Sequence, residues 1–343
     1  MFGLSNSLLV GIDVEAQWDD RTRTSAGART LDQAEDVTSF RVFVRDELSL
    51  PEDFTLAFSL GFDNLWYRLD DHLSAGGGMA DASGRVDFSE WSPAISFRWN
   101  PRKDFNPYLR ISTSFEPPTT TEFRNPDGSG FNTDLGAQNA INYEAGVKGL
   151  LPGRARYSLA LYHIKTSDEL ISYEIADETY YRNAGRTERT GFEAMLIIEL
   201  LDGVQFTAAY TYTSAEFTDY ILDGGANLTG NQVPGVPENT FYGELLYMHS
   251  SGFFAALEVR GIGAFYANDT NAVRTEAYGV LDYRMGWKAE WGAWRLTPYV
   301  SMSNITDTVY NDNVRLNAGF GRYYEPAAGF EIQGGLGIAY SFE

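Results

Sequence analysis

Apolar and polar residues alternate one by one along many stretches of this chain. In "FTLAFSLGF" (54–62), Phe and Leu occupy the even positions, and Thr, Ala, Ser and Gly occupy the odd positions. The last fifteen residues, "GFEIQGGLGIAYSFE", alternate in the same way. A period of two places successive side chains on opposite faces of a β-strand. Such runs predict fourteen strands, which begin near Leu8, Phe40, Phe54, Trp91, Leu109, Ile141, Tyr157, Phe192, Val204, Phe241, Phe253, Leu281, Trp294 and Phe330.

The predicted connections are alternately short and long. The short turns are Pro51–Asp53, Pro101–Asn106, Pro152–Arg154, Asp202–Gly203, Ser251–Gly252 and Gly292–Ala293. The long polar stretches are 21–36, 70–85, 117–139, 168–188, 217–238, 267–276 and 307–328. An antiparallel meander with this alternation places all short turns at one end and all long loops at the other. Outer-membrane β-barrels have this asymmetry, with short periplasmic turns and long extracellular loops.

Charged residues share the polar face on neighbouring strands. They are Arg41, Arg45, Glu47, Arg98, Arg110, Glu116, Glu144, Lys148, Glu193, Glu199, Glu258, Arg260, Asp282, Arg284 and Lys288. So many charges cannot fill a dry core, so their face must meet water and the aromatic face must meet lipid. The prediction is an all-β, antiparallel transmembrane β-barrel that forms a single domain over residues 1–343. The alternative is a soluble β-sandwich or up-and-down barrel, which has shorter strands and hides its apolar face inside.

Composition excludes several other classes of protein. The chain has no Cys and only three scattered His, which excludes disulfides and makes a histidine metal centre unexpected. A formal net charge of −21 argues against a nucleic-acid partner. The N-terminal residues have no signal-peptide pattern, and no stretch has the length of a membrane-spanning helix. No nucleophile–base constellation stands out, so we expect neither an enzyme nor a cofactor or metal site.

Four tryptophans lie near predicted strand ends, namely Trp91, Trp99, Trp291 and Trp294. An amphipathic indole prefers the headgroup region of a bilayer, so these residues predict a membrane girdle. The alternative is that each ring packs only against its neighbouring strands.

Six stretches carry a more specific pattern. They are "NPYLRISTSFEPPTTTEF" (106–123), "NAINYEAGVKG" (139–149), "RNAGRTERTGFEAML" (182–196), "GNQVPGVPENTFYGELLY" (230–247), "VSMSNITDTVYND" (300–312) and "GRYYEPAAGFEIQGGLGIAYSF" (321–342). In this order they resemble segments in the barrel of TonB-dependent outer-membrane receptors of the siderophore type. The resemblance covers roughly residues 38–343. Its glycines and prolines also have structural readings, because Gly suits a close strand approach and Pro suits a loop-to-strand entry.

The resemblance implies the C-terminal part of a larger receptor barrel. The family's barrel has 22 strands and follows a plug domain with a TonB-contacting box, and we expect neither plug nor signal peptide here. It further implies a Gram-negative outer membrane, lipid and barrel-assembly partners, and uptake of iron–siderophore complexes energised by TonB through the absent plug. The aromatic ending, Tyr340 and Phe342, resembles the insertion signal of such barrels. One alternative is a stand-alone fourteen-stranded passive porin or hydrophobic-solute channel, and another is a non-transporting adhesin or structural barrel.

The long loops carry the candidate ligand-binding residues. Anionic ferric chelates are held by arginine forks and aromatic faces, and the family's loops and lumen wall contribute to its binding site. Two loops combine both residue types, and the candidates are Tyr180, Tyr181, Arg182, Arg186, Arg189, Arg315, Arg322 and Tyr323. The alternative is that these side chains rigidify the loops or pair with the acidic excess.

Overall fold

The fold is built almost entirely from antiparallel β-strands. The structure is a computed structural model that describes residues 4–73, 81–126, 131–175, 178–222 and 224–342, so parts of the predicted loop 70–85 and of the turn 125–130 lie outside the described residues. The first ten strands are β1 (Ser5–Ser25), β2 (Ala28–Leu50), β3 (Phe54–Asp71), β4 (Gly84–Trp99), β5 (Asn106–Glu116), β6 (Gln138–Leu151), β7 (Ala155–Ser167), β8 (Leu170–Ile175), β9 (Glu178–Asn183) and β10 (Arg186–Leu201). The others are β11 (Val204–Asp219), β12 (Asn239–Met248), β13 (Phe253–Ile262), β14 (Phe265–Tyr266), β15 (Arg274–Thr275), β16 (Tyr278–Trp287), β17 (Ala289–Trp291), β18 (Trp294–Ser303), β19 (Asn311–Val314), β20 (Tyr324–Pro326) and β21 (Glu331–Tyr340). Across the described residues, no helix has the length and hydropathy needed to cross a membrane.

One large sheet contains all the long strands in chain order. Each strand from β1 to β7 pairs with the next, β7 pairs with β10, and the ladder continues through β11, β12, β13, β16 and β18 to β21. Lys288 separates β16 from β17, and both pair with β18, so they form one interrupted strand. Counted this way, the sheet has fourteen strands, as the alternation predicts. Three short hairpins, β8–β9, β14–β15 and β19–β20, lie off the main sheet within the long connections.

The two outer strands of the sheet have one edge each that is unpaired among the described residues. β1 pairs only with β2, and β21 pairs only with β18. The sheet is therefore open between β1 and β21.

The register puts charged and apolar residues on opposite faces of the sheet. Arg41 pairs with Asp63, which pairs with Glu90, so these charges form one row across three strands. The adjacent row contains Phe62 and Trp91 on the opposite face. A row of residues on one face continues across neighbouring strands because directly paired residues point the same way. The predicted separation of a charged face and an apolar face is thus present across the sheet.

The charged face is the concave one, and the loops fold over it. Glu178, at the start of β9, contacts Arg23 on β1, although β2 to β7 lie between them in the sheet order. The Thr120 hydroxyl in the loop after β5 donates to the buried Glu35 on β2. Contacts between such distant strands require a sheet that curls, and they place the loop cluster on its charged side.

The connections follow the predicted alternation except for the first. All six short turns connect consecutive strands of the large sheet. The predicted long loop at 21–36 is wrong, because β1 and β2 continue through it to a two-residue turn at Ala26 and Gly27. Both turn residues have positive φ, 49° and 80°, which is the geometry of a type I′ hairpin turn. The prediction failed because it took polar side chains as a sign of a loop. A strand that extends beyond the membrane does not need an apolar face.

Aromatic rings on the concave face lie over glycines of the neighbouring strand. A Cβ added to Gly146 would lie 2.6 Å from the Tyr108 ring, and one on Gly191 would lie 2.5 Å from the Tyr162 hydroxyl. Gly335 leaves the same space for Tyr299, at 2.5 Å. The glycines therefore allow a ring to lie flat across the strand, which is the close approach expected from the sequence.

The tryptophans of the predicted girdle lie at two levels. Trp99 ends β4 and donates from its indole to the Glu52 carbonyl in the short turn at 3.2 Å. Trp291 and Trp294 flank the short turn at 292–293, so all three mark the same end of the sheet. Trp91 lies instead in the middle of β4, eight residues above Trp99, with an exposed side chain.

Candidate functional site

Four long connections meet around the buried carboxylate of Asp269. They are 168–185, 220–238, 263–277 and 304–330, and their described residues are called the loop cap below. One Asp269 oxygen accepts a hydrogen bond from the Tyr220 hydroxyl at 3.0 Å, and the other accepts one from the Asn317 side-chain amide at 3.0 Å. The Asp269 backbone N–H in turn donates to the side-chain oxygen Oδ1 of Asn317 at 2.9 Å. A single residue thus joins three of the four connections.

Arg182 connects the fourth segment to this centre. Its Nε donates to the Tyr220 hydroxyl at 3.1 Å. Its guanidinium lies 4.7 Å from the centre of the Tyr173 ring and 5.7 Å from the centre of the Tyr220 ring. Two aromatic faces hold a cation more firmly than one, and they leave the ends of the guanidinium fork for another acceptor.

Burial controls the proton affinity of this centre. Removal of Asp269 from water raises the pKa of its carboxyl, and the hydrogen bonds from Asn317 and Tyr220 and the charge of Arg182 oppose that rise. Glu169 adds to the rise through repulsion. Burial also raises the pKa of Tyr220, so its hydroxyl stays protonated and donates to Asp269.

An apolar cluster stabilises the loop cap from below. Its buried members are Ile171, Ala184, Ala215, Phe217, Tyr220, Leu228 and Val233. Further hydrogen bonds join the β8–β9 hairpin to the last connection, from the Asn317 amide to the Ser172 carbonyl at 2.9 Å and from the Gly319 N–H to Glu174 at 2.6 Å. The cap is therefore a packed structure and not a set of independent loops.

A cavity of about 940 Å³ opens beside the loop cap, between the extended ends of β1 to β3 and the connection after β5. Its wall contains the arginines Arg21, Arg23 and Arg124, the carboxylate of Glu178, and the rings of Phe123 and Tyr181. Phe123 is fully buried and packs beside Tyr67 and Leu135. The volume is within the range of about 300–1,000 Å³ that is usual for small-molecule sites.

The charges of this cavity differ in how firmly they are held. Arg21 pairs at 2.9 Å with Glu35, a buried carboxylate on β2. Arg124 pairs with Glu178 at 2.7 Å, and Arg23 reaches the same carboxylate at 4.0 Å. Asp71, also in the wall, accepts from the backbone N–H groups of Leu73 and Ala82 at 2.9 and 3.1 Å. Two arginines therefore share one half-exposed carboxylate at the rim.

The predicted ligand residues divide between these two places. Tyr181 lines the cavity, and Tyr180 is buried with its ring 5.6 Å from the Arg124 guanidinium. Arg182 belongs to the Asp269 centre, while Arg189 pairs with the largely buried Glu169 and Arg186 pairs with Asp219 at 2.9 Å.

The predicted residues of the last connection lie elsewhere in the loop cap. Arg315 pairs with Glu325 at 2.9 Å, and the hydrogen bonds from Asn313 and Arg315 lower the pKa of that carboxyl. Arg322 is exposed, and Tyr323 packs beside Tyr324. The structure therefore does not bring the eight residues into one site.

Sequence reasoning missed Arg21, Arg23, Arg124 and Glu178. Arg21 and Arg23 lie in the stretch predicted as a loop, and on a strand their period-two spacing would have placed both on one face. Arg124 directly precedes the turn-forming "NPDGSG", and Glu178 lies at the end of a hairpin. No local pattern connects these positions, because only the curl of the sheet brings β1 and β9 together.

Charge pairs also cover the concave wall away from the loops. Arg284 contacts Glu244 and Glu258, Arg260 contacts Asp282 at 3.2 Å, and Arg98 contacts Glu47 at 3.4 Å. A second cavity of about 1020 Å³ follows this wall beside Asp13, Arg41 and Asp63. Within the described part of the chain, no group of three or more His, Asp or Glu side chains is arranged to hold a metal ion.

The fold and this site define a class: an antiparallel sheet with an apolar face and a charged concave face, whose long loops cover a cavity. Comparison with known proteins gives the family. The family model described as "TonB dependent receptor-like, beta-barrel" matches residues 1–305, so the chain belongs to this family. The family, the fold and the relatives below place the chain in the outer membrane of a Gram-negative bacterium.

Curated relatives and solved structures agree with the family. The ferrioxamine receptor of Yersinia enterocolitica is 24% identical over 332 residues, which cover 90% of this chain and 45% of that protein. The siderophore receptor PiuA from Acinetobacter baumannii has a TM-score of 0.78 and 16% identity, covering 98% of this chain and 53% of that one. The ferric yersiniabactin uptake receptor FyuA from Yersinia pestis has a TM-score of 0.73 and 18% identity, covering 98% and 51%. The chain spans about half the length of the curated relatives it matches.

Proposed function

We propose that the chain is the C-terminal part of the barrel of an outer-membrane receptor that takes up ferric siderophores or similar iron complexes. The observation that carries this proposal is the loop-covered cavity of about 940 Å³ with three arginines and an aromatic wall. Guanidinium forks and aromatic faces suit an anionic chelate with planar, delocalised ligand groups. The names of the relatives, which include receptors for ferrioxamine and ferric yersiniabactin, support the same role.

We also propose that further strands of the receptor join the unpaired edges of β1 and β21. A sheet edge in a membrane leaves backbone groups without hydrogen-bond partners, which costs several kcal/mol for each group. In the complete receptor, a plug domain receives energy from TonB, and lipid and the barrel-assembly machinery are the other partners. Nucleic acid is not a partner in this proposal, and the chain has no catalytic role.

Among the predicted ligand residues, Tyr181, Arg182, Arg322 and Tyr323 are the proposed contacts. Tyr181 lines the cavity, and the Arg182 guanidinium is held beside two rings while its Nε donates to Tyr220. Three other predicted residues form ion pairs, which supports a role in stabilising the loops; they are Arg186, Arg189 and Arg315. We propose Trp99, Trp291 and Trp294 as one membrane girdle, Trp91 as part of the opposite one, and Tyr340 and Phe342 as the insertion signal.

A passive channel is the competing function. The loop cap argues against it, because interlocked connections over the concave face would obstruct free diffusion. Uptake of radioactive iron by cells that produce the complete receptor separates the two functions. We expect accumulation of the ferric chelate to disappear in cells that lack TonB and to fall about tenfold in the Arg182→Ala variant, since a charge-assisted pair is lost. Uptake that is unchanged without TonB would identify a passive channel.

A further inference from the structure

Glu178 occupies a position that an anionic ligand would also prefer. Its carboxylate lies between two guanidinium groups, 2.7 Å from Arg124 and 4.0 Å from Arg23, at the rim of the cavity. We propose that Glu178 fills an oxyanion subsite of the empty receptor, and that an anionic iron chelate displaces it to bind Arg23 and Arg124. This proposal rests on the proposed uptake function and adds the charge class of the ligand.

The two arginines differ from the third arginine of the cavity in what holds them. Arg21 pairs with Glu35, which is 4% exposed and also accepts hydrogen bonds from Gln33 and Thr120. An ion pair of this kind is costly to break, because it would leave a buried charge. Arg23 and Arg124 share a carboxylate whose side chain is 44% exposed, and exposed pairs contribute little. Arg21 is therefore structural, and the other two arginines can change partner.

Arg124 is prepared for this exchange. Its guanidinium lies over the ring of Tyr180 at 5.6 Å, and Tyr180 is itself buried. The ring fixes the plane of the guanidinium whether or not Glu178 is present. A fork held in this way binds a bidentate oxyanion with little loss of side-chain freedom.

The charge balance also favours an incoming anion. Two cations share one anion at the rim, so Glu178 offsets only one of the two guanidinium charges. Asp71, the other carboxylate of the wall, also carries a negative charge, and its oxygens accept hydrogen bonds from two backbone N–H groups. A chelate with several negative oxygens can bind both arginines at short distance. The Glu178 carboxylate lies close to Arg124 and farther from Arg23.

Displacement of Glu178 would also release one end of the β8–β9 hairpin. Glu178 is the first residue of β9 and pairs with Ile175 at the end of β8. Further contacts of the hairpin, among them Arg182 with Tyr220 and Asn317 with Ser172, lie in the loop cap. Ligand binding is thereby coupled to the only hairpin strand that contacts both the cavity and the loop cap within the described residues.

The test compares charge-removing variants of the protein in detergent solution. The probes are ferric citrate, which is anionic, ferrioxamine B, which is cationic, and citrate without iron. Binding of the ferric chelates is followed by quenching of Trp fluorescence, and binding of citrate is followed by calorimetry. We expect Glu178→Gln to bind ferric citrate and citrate about twofold to fivefold more tightly, since it removes the competing carboxylate. Arg124→Ala should bind both at least about tenfold more weakly.

Matched controls separate this effect from a general change of charge. Glu188→Gln removes a carboxylate of similar exposure that pairs with Lys165 at 3.3 Å on the outer face of the sheet, and Arg154→Ala removes an arginine paired with Glu199 and Asp202 at a short turn. Both controls should leave citrate binding unchanged. Weaker or unchanged binding in Glu178→Gln would overturn the subsite. If citrate binding follows the expectation but cells take up no ferric chelate, the subsite stands and the uptake function fails. If uptake requires TonB but Glu178→Gln binds citrate like the wild type, the uptake function stands and the subsite fails.

Discussion

Asp269 shows how one residue can connect distant parts of the chain. It is buried, it accepts hydrogen bonds from Tyr220 and Asn317, and Arg182 reaches it through Tyr220. A buried carboxylate is costly unless donors surround it, and each of these donors comes from a different connection. The loop cap therefore depends on a carboxyl group that would be costly to bury in any one loop alone.

The raised pKa of Asp269 predicts a pH dependence of the loop cap. Burial raises the folded-state pKa above the unfolded value of 3.8, so protonation stabilises the folded cap. This stability is fully present below about pH 3.8 and is lost as the pH rises through the folded pKa. Over that range, the equilibrium constant for opening of the cap increases by up to about tenfold per pH unit. Hydrogen exchange of the Ala267 and Asn317 amides, corrected for the intrinsic rate, measures the opening.

In the Asp269→Asn variant this pH dependence should disappear, because an amide does not titrate. Asp202→Asn is the control, since Asp202 lies exposed in a short turn and pairs with Arg154. The assignment to Asp269 fails if protection in the Asp269→Asn protein still changes with pH as in the wild type. The other charged groups around this centre, Arg182 and Glu169, are kept in both variants.

At the scale of the element, the β1–β2 hairpin depends on its turn. Ala26 has a φ of 49°, which costs a residue with a side chain about 1 kcal/mol, whereas Asn tolerates this region. We expect Ala26→Asn to stabilise the end of the hairpin by about 0.5–1 kcal/mol, and Gly27→Val to destabilise it by more than about 1 kcal/mol. Ala28→Asn, one step beyond the turn at the start of β2, is the control and should not stabilise.

The rate of protease cleavage near the turn, measured at increasing denaturant concentration, tests this prediction. The cavity gives the element a functional meaning, because Arg21 and Arg23 lie on the part of β1 nearest this turn. A hairpin that frays would move Arg23 away from Glu178. Ala26→Asn should therefore slow cleavage without changing the register between β1 and β2. Faster cleavage would contradict the type I′ assignment.

At the scale of the whole molecule, the two faces of the sheet decide what a substitution costs. Leu257 lies on the face opposite Glu258 in the middle of β13, and its side chain is exposed. We expect Leu257→Arg to reduce the free energy of unfolding in lipid vesicles by about 2–4 kcal/mol, because the arginine would face hydrocarbon. Thr211→Arg on the concave face, directly opposite Glu193, is the matched control and should cost less than about 1 kcal/mol.

Urea unfolding of the protein in vesicles, followed by Trp fluorescence, measures both variants. Equal costs at the two positions would mean that the assignment of the lipid face is wrong. The same two faces explain the composition of the molecule. The apolar face takes many of the large apolar side chains, and most of the 47 acidic and 26 basic residues lie on the concave face, in the turns or in the loops.

The sequence by itself determined the class of fold, the number of strands in the large sheet and the face of the residues in the alternating stretches. The reason is that alternation with period two is a local property, visible between Phe54 and Phe62 without any knowledge of the neighbours. It failed at 21–36, where β1 and β2 continue beyond the bilayer and an apolar face is no longer required. Local patterns also located the arginine-rich and tyrosine-rich loops, but they could not say which arginines are already paired.

Only the tertiary structure decided where the candidate site lies. Six strands of the sheet, β2 to β7, lie between Arg23 and Glu178 in chain order, and the curl of the sheet brings the two side chains within 4.0 Å. Arg182 meets Tyr220 because their two connections pack on one apolar cluster, and Tyr220 in turn donates to Asp269 on a third connection. Such contacts depend on the summed twist of many strand pairs and on loop packing, and no single stretch of sequence contains either.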